Sequence, residues 1–391
     1  MTRRRGQGGF TLIELMIALV VSSLLVGMIL AIFNRMSMSY RGQQQIAGVQ
    51  QVLAAARATI ETDAKQAGLG VSQGFKLGGE LAGAAVHSPI LWTDSSTGPD
   101  QVGFFYADPS LQAKVTAWNG PARQITIDAN PGFAPGALIA LVNETTPING
   151  LGANDPTIAR FDSCATKLST ATGTGTVLTL STAGPWGRSS GSYCTITPGT
   201  TMVYLFVAHA YRIDTTTDTT ITSGPMYPSA RGTLQMTSTG GLPTATASGT
   251  DVWNDLAYGF TDLQVATRFY DNDTVDQDGD GDVTRDWYSG PAGANFANAL
   301  SGADFVPPVR MSISLVARTD RDIEGISTAQ TPNLVGTGAP TPPVDYNSIG
   351  NHPSVALPAQ APWSADPLLK GSRIYRYVTF QVDLRNMGVG R

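Results

Sequence analysis

Between Asp271 and Asp286 the chain reads DNDTVDQDGDGDVTRD, placing seven of its 30 acidic residues within 16 positions. Packed carboxylates repel one another unless a cation sits among them. Asp276, Asp278 and Asp280 alternate and are followed by Gly281, which is the first half of an EF-hand calcium loop. The alternating acids point their oxygens inward, the glycine permits the sharp turn, and Asp282 offers its backbone carbonyl. Position twelve of that pattern is Trp287 rather than Glu, so Asp286 must stand in for the bidentate ligand, with Asp271 and Asp273 as weaker candidates. Oxygen-only ligands favour a structural Ca²⁺ over Mg²⁺, which prefers rigid octahedral sites with retained water. The competing reading is a solvated acidic loop.

Other chemistry is sparse. Gly187-Arg188-Ser189-Ser190-Gly191 spells G-x-S-x-G, but a nucleophile elbow needs a strand before it and a helix after it. Gly184-Pro185-Trp186 precedes it instead, in a Gly- and Ser-rich stretch where the pattern arises by chance. His87, His209 and His352 are far apart and read as surface or structural residues. Two cysteines exclude a Cys₄ zinc site and a cysteine-rich scaffold. No phosphate-binding or dinucleotide-binding loop occurs, so catalysis is not expected. With 25 basic and 30 acidic residues, a nucleic-acid-binding surface spread over the whole protein is not expected either.

The N-terminus supplies the element that organises the rest. Residues 1–9 read MTRRRGQGG, and residues 10–33 then run for 24 positions with Glu14 as their only ionisable side chain. As a helix this run spans about 36 Å, enough to cross a bilayer core. Arg3, Arg4 and Arg5 hold the start in the cytoplasm, so the remainder projects outward. The run is longer than the apolar part of a secretory signal peptide, and no A-x-A cleavage site follows it. Residues 34–70 continue as an amphipathic helix with Ile46, Val49, Leu53, Ala56 and Ile60 on one face, closed by Gly68 and Gly70. The whole rod would be about 88 Å long.

Glu14 needs a partner, since an ionised carboxylate in hydrocarbon costs about 2.5–3.5 kcal/mol on insertion scales. No cation lies nearby on the same helix. Either the acid sits close enough to the interface to reach water, or its partner comes from another subunit or a protein machine.

Gly9-Phe10-Thr11-Leu12-Ile13-Glu14 resembles the type IV prepilin signal. The resemblance implies cleavage by a prepilin peptidase between Gly9 and Phe10, N-methylation of Phe10, and pairing of Glu14 with the amino group of Phe10 on a neighbouring subunit. Loss of the leader removes three of the 25 basic residues, leaving 22 against 30 acidic, or −8. Many major pilins carry a proline about 22 residues into the mature helix; here Ala31 stands there.

Residues 71–391 are rich in Gly, Ser, Thr and Pro and form a head of short strands. Strands are predicted at 101–106, 124–127, 137–142, 175–180, 202–213, 261–270, 309–317 and 374–384, with low-complexity loops at 237–250 and 328–345. The expected class is α+β: one long N-terminal helix and a large β-rich head. Weak boundaries near Gly70, Gly240 and Gly325 leave one or two subdomains open. Cys164 and Cys194, in an exported head, are expected to form a disulfide closing a 31-residue loop. The entropic model assigns such a loop about 3–4 kcal/mol.

Rod and head together resemble PilW-type minor pilins. The matching segments are ARATIETDAKQAGLG (56–70), FAPGALIALV (133–142), 261–270 leading into the aspartates, VRMSISLVAR (309–318) and YRYVTFQVDLRN (375–386). The resemblance implies a minor subunit of a type IV pilus, serving assembly priming, twitching motility and adhesion. Its expected partners are other pilins, the inner-membrane assembly machinery and a tip adhesin. It would sit as a single-pass inner-membrane protein with a periplasmic head before assembly and at the cell surface afterwards. A pseudopilin of type II secretion, or a permanently anchored periplasmic binding protein, are the alternatives.

Overall fold

A computed structural model describes residues 11–71, 76–77, 89–93, 99–147, 161–170, 175–182, 195–214, 232–237, 252–269, 287–288, 308–319 and 375–384. Helix α1 runs Leu12–Gln66 without a break, 55 residues or about 82 Å. No proline interrupts it. Ser22 and Ser23, in the apolar half, donate their hydroxyls to the carbonyls of Leu19 and Val20 at 3.1 and 2.8 Å. That leaves neither hydroxyl stranded in an apolar setting. The helix ends at Ala67, and Gly68 and Gly70 take the left-handed conformation at φ 82° and 64°.

Among the described residues the head has two sheets. The larger joins β1 (Lys76–Leu77), β2 (Ile90–Thr93), β3 (Gln101–Asn119), β4 (Gln124–Ile127), β5 (Leu138–Pro147), β6 (Phe161–Lys167), β7 (Val177–Thr179), β8 (Thr201–Asp214), β9 (Thr233–Thr237) and β10 (Asn254–Tyr258). Its order is β1-β6-β5-β8-β3-β4-β7, with β2 on β3 and β10 reached through β9 from β8. The smaller sheet is β12-β11-β13-β14, built from β11 (Phe260–Phe269), β12 (Trp287–Tyr288), β13 (Pro308–Arg318) and β14 (Tyr375–Asp383). Only the short β1–β6 pair is parallel among the described residues.

All eight expected strands are present. The alternation in Met311-Ser312-Ile313-Ser314-Leu315 has the predicted result: Met311, Ile313 and Leu315 join the main core with Phe380 and Val382 of β14. The expectation for β3 was too short. Its apolar run stops at Ala107, but after a bulge between Asp108 and Gln112 the strand continues to pair β8 and then β4. Asp108 Oδ1 accepts from Ser110 N at 2.8 Å within that bulge. Six described strands carried too weak a pattern to be predicted, among them Phe161–Lys167, whose polar Ser163 and Thr166 are buried.

The main core lies between α1 and both sheets. Val49, Leu53, Ala56, Ile60, Ala64 and Ala67 of the helix meet Val102, Phe104, Tyr211 and Ile213 of the large sheet and Leu263, Val265, Ile313 and Phe380 of the small one. Burying a side chain such as Ile60 is worth about 1.5–3 kcal/mol. Asp100 pins the sheets together: its N–H donates to the carbonyl of Leu263 at 2.8 Å and its Oδ2 accepts from Val265 N at 2.9 Å. Two further cores lie elsewhere on the large sheet, around Phe105 and Phe206 and around Ile125 and Leu141.

Candidate functional site

The candidate functional element is the helix, and its two ends are held differently. At the N-terminus Thr11 caps the first turn with an extended backbone, φ −76° and ψ 149°. Thr11 N and Thr11 Oγ1 donate to Glu14 Oε2 at 3.0 and 2.9 Å, and Glu14 N donates to Thr11 Oγ1 at 3.4 Å. This is a capping box. Glu14 therefore has a local partner that is a capping threonine rather than a cation. The signal was legible: Thr11-x-x-Glu14 ahead of an apolar run is the sequence form of that box. Both donations go to Oε2, so Oε1 makes no hydrogen bond among the described residues.

From Leu12 to Phe33 every residue is exposed, including the large apolar side chains. The head covers none of this stretch. It is long and apolar enough to cross a membrane.

At the other end Asp63 takes the place where the buried stripe would carry an apolar residue. Its Oδ1 accepts from Tyr106 Oη at 3.1 Å. Its Oδ2 lies 2.7 Å from His209 Nδ1 and accepts a short hydrogen bond from Tyr211 Oη. Strands β3 and β8 supply the donors. Their register sets Phe104 opposite His209 and Val102 opposite Tyr211, so Tyr106, His209 and Tyr211 share the face turned to α1. Burial and the adjacent Asp63 carboxylate raise both tyrosine hydroxyls well above the usual phenol range. They stay protonated and act as donors. An acid, a histidine and two tyrosines resemble a proton relay, yet every group is engaged in tying the helix to the sheet. Beyond them, Gly68 N donates to the carbonyl of Phe105 at 3.0 Å and Ala107 N to the carbonyl of Leu69 at 2.7 Å, extending the tie along the backbone.

Between these ends, Arg57, Glu61 and Lys65 form an exposed ladder, with Glu61 bonded at 3.1 Å to Arg57 and 2.7 Å to Lys65. The Lys65 ammonium and then the Arg57 guanidinium hold the Glu61 carboxyl below its ordinary value. Arg57 also lies 5.4 Å from the ring centroid of Phe380 in β14.

The other predicted site residues are only partly described. Cys164 is buried within β6 and disulfide-bonded; Cys194 lies outside the described residues. So do Gly9, Phe10, His87, His352, the G-x-S-x-G stretch and all of Asp271, Asp273, Asp276, Asp278, Asp280, Asp282 and Asp286. The strands that flank the aspartates do pair, Arg268 opposite Trp287 and Thr267 opposite Tyr288, so the two ends of that segment are brought together. Among the described residues no group of three or more His, Cys, Asp or Glu is placed to hold a metal ion.

Comparison with known proteins places the N-terminus. No curated protein sequence matches the chain. Among solved structures it is similar to the type IV-like pilin TTHA1219 from Thermus thermophilus, at 8% identity and a TM-score of 0.30, over 87% of this chain and 97% of that one. A likeness that slight carries no argument here. Residues 4–30 match the model of the prokaryotic N-terminal methylation motif. The chain thus carries a type IV prepilin-type methylation motif at the head of its long helix.

Proposed function

We propose that the protein is a minor pilin of a type IV pilus, a structural subunit whose helix waits in the inner membrane and then packs into a filament. The carrying observation is the methylation motif on an unbroken helix whose first 22 residues are bare. A capping box that leaves Glu14 Oε1 open fits a waiting state, in which the acid is satisfied locally and still has an oxygen for an incoming amine. The Asp63 tie supports a mechanical role, since a helix drawn from the membrane must carry its head with it. The head faces the periplasm before assembly and the surface afterwards, where it meets other minor subunits and a tip adhesin. Cys164 and Cys194 close a stabilising loop, and the aspartate segment holds a structural calcium.

The test is mass spectrometry of the mature chain together with the fractionation of sheared pili. An N-methylated Phe10 at the terminus and the polypeptide in the pilus fraction are expected, with Glu14→Ala leaving it in the membrane. An intact Met1 in mature cells would overturn the reading. Loss of enzyme secretion with normal twitching on deletion would move the subunit to a type II secretion system.

A further inference from the structure

Between the bare apolar run and the head lies a stretch that neither accounts for. Leu12–Phe33 spans about 33 Å, matching a hydrocarbon core of about 30 Å. The first buried residue of the helix is Gly42, and before it only Ser37 is half-buried. The eight residues between, Asn34-Arg35-Met36-Ser37-Met38-Ser39-Tyr40-Arg41, add about 12 Å of helix. A headgroup layer is about 5–8 Å thick on each side, so this stretch can cross it.

We propose that Asn34 to Arg41 form a collar that binds lipid phosphates at the non-cytoplasmic face of the membrane, through Arg35 and Arg41, and sets the depth of the helix. The proposal rests on the reading of α1 as a membrane span. The composition of the collar suits a boundary. Met36 and Tyr40 are exposed at 67% and 62%, a poor choice for a spacer in plain water, and the two arginines are a poor choice for hydrocarbon. Tyrosine and long cationic side chains concentrate where apolar and wet regions meet. At 100° per residue, Arg35 falls on the side of the buried stripe Val49–Leu53–Ile60, beneath the head, while Met36 and Tyr40 fall on the opposite side. Arg41 lies between those faces, so charge and apolar surface encircle the helix. Neither arginine meets an acid among the described residues. Guanidinium groups match phosphate oxygens in fork geometry. Basic residues on this side also run against the usual cytoplasmic bias, which calls for a local reason.

The full chain is reconstituted into vesicles of equimolar phosphatidylcholine and phosphatidylglycerol, with an environment-sensitive dye at Ser39→Cys or at Ser22→Cys. Nitroxide quenchers are placed at headgroup or mid-acyl depth. The dye at position 39 is expected to be quenched from the headgroup, and R35Q/R41Q is expected to lose that quenching while position 22 stays quenched from the acyl region. If position 22 is deep but position 39 is unquenched, or unchanged in R35Q/R41Q, the collar is overturned. That result with fewer filaments from R35Q/R41Q would assign the arginines to a neighbouring protein instead. If position 22 is not deep, the span itself is wrong and the collar falls with it.

Discussion

Asp63 shows how one residue type in an unexpected place decides a joint. Its carboxylate satisfies Tyr106, Tyr211 and His209 at once, in a setting from which water is largely excluded. Asp63→Ala strands buried donors, and a loss of about 3–5 kcal/mol is expected in urea unfolding of the detergent-solubilised chain. Tyr211→Phe should cost less, about 1.5–3 kcal/mol, because one hydrogen bond to the carboxylate is lost while Tyr106 and His209 still meet it. Asp262, on the opposite face of the small sheet, has a different fate. Fully buried, with Gln264 Nε2 donating to Oδ1 at 2.9 Å and Oδ2 without a partner among the described residues, its carboxyl is pushed up to about 7 by burial. The folded protein therefore holds a proton that the unfolded chain releases near pH 4. Its contribution is fully present below about pH 4, is lost as pH rises to about 7, and is level above that. Melting temperature should fall across this window, and Asp262→Asn should flatten the fall; an unchanged slope in the variant would assign it to other groups.

At the scale of elements, α1 is one helix with two environments. Its upper half is stabilised by burial against two sheets, its lower half by backbone hydrogen bonding and whatever surrounds it. The change of path at its end depends on Gly70, whose φ of +64° and 2.9 Å approach of an added Cβ to Ala107 Cβ leave no room for a side chain. Gly48, within the helix, has nothing within 4 Å of such an atom. Gly70→Ala should lower stability by about 1–2 kcal/mol. Gly48→Ala should raise it by about 0.5–1 kcal/mol. Opposite signs in paired thermal melts are the expected outcome, and matching signs would contradict the description of the turn.

Over the whole molecule, the calcium ion proposed for the aspartate segment would act on folding stability through that segment. Its ends are already joined through β11 and β12, so binding should favour the folded state by mass action. Calcium titration of the full chain is expected to raise its melting temperature, and Asp278→Ala with Asp280→Ala to abolish the rise; no response to calcium or chelator would leave a solvated loop. Much of this architecture was legible in order of residues alone. The helix, its apolar half, the stripe through Val49, Leu53, Ala56 and Ile60 and the eight main strands all follow from periodicity and charge, which act between near neighbours. Even the capping box of Thr11 and Glu14 is a local pattern, with a spacing of three. The Asp63 joint is not of that kind, because its partners stand 43, 146 and 148 positions away. Only the pairing of β3 with β8, and the packing of α1 across them, brings those side chains to one point, since strand register is a contact between distant segments.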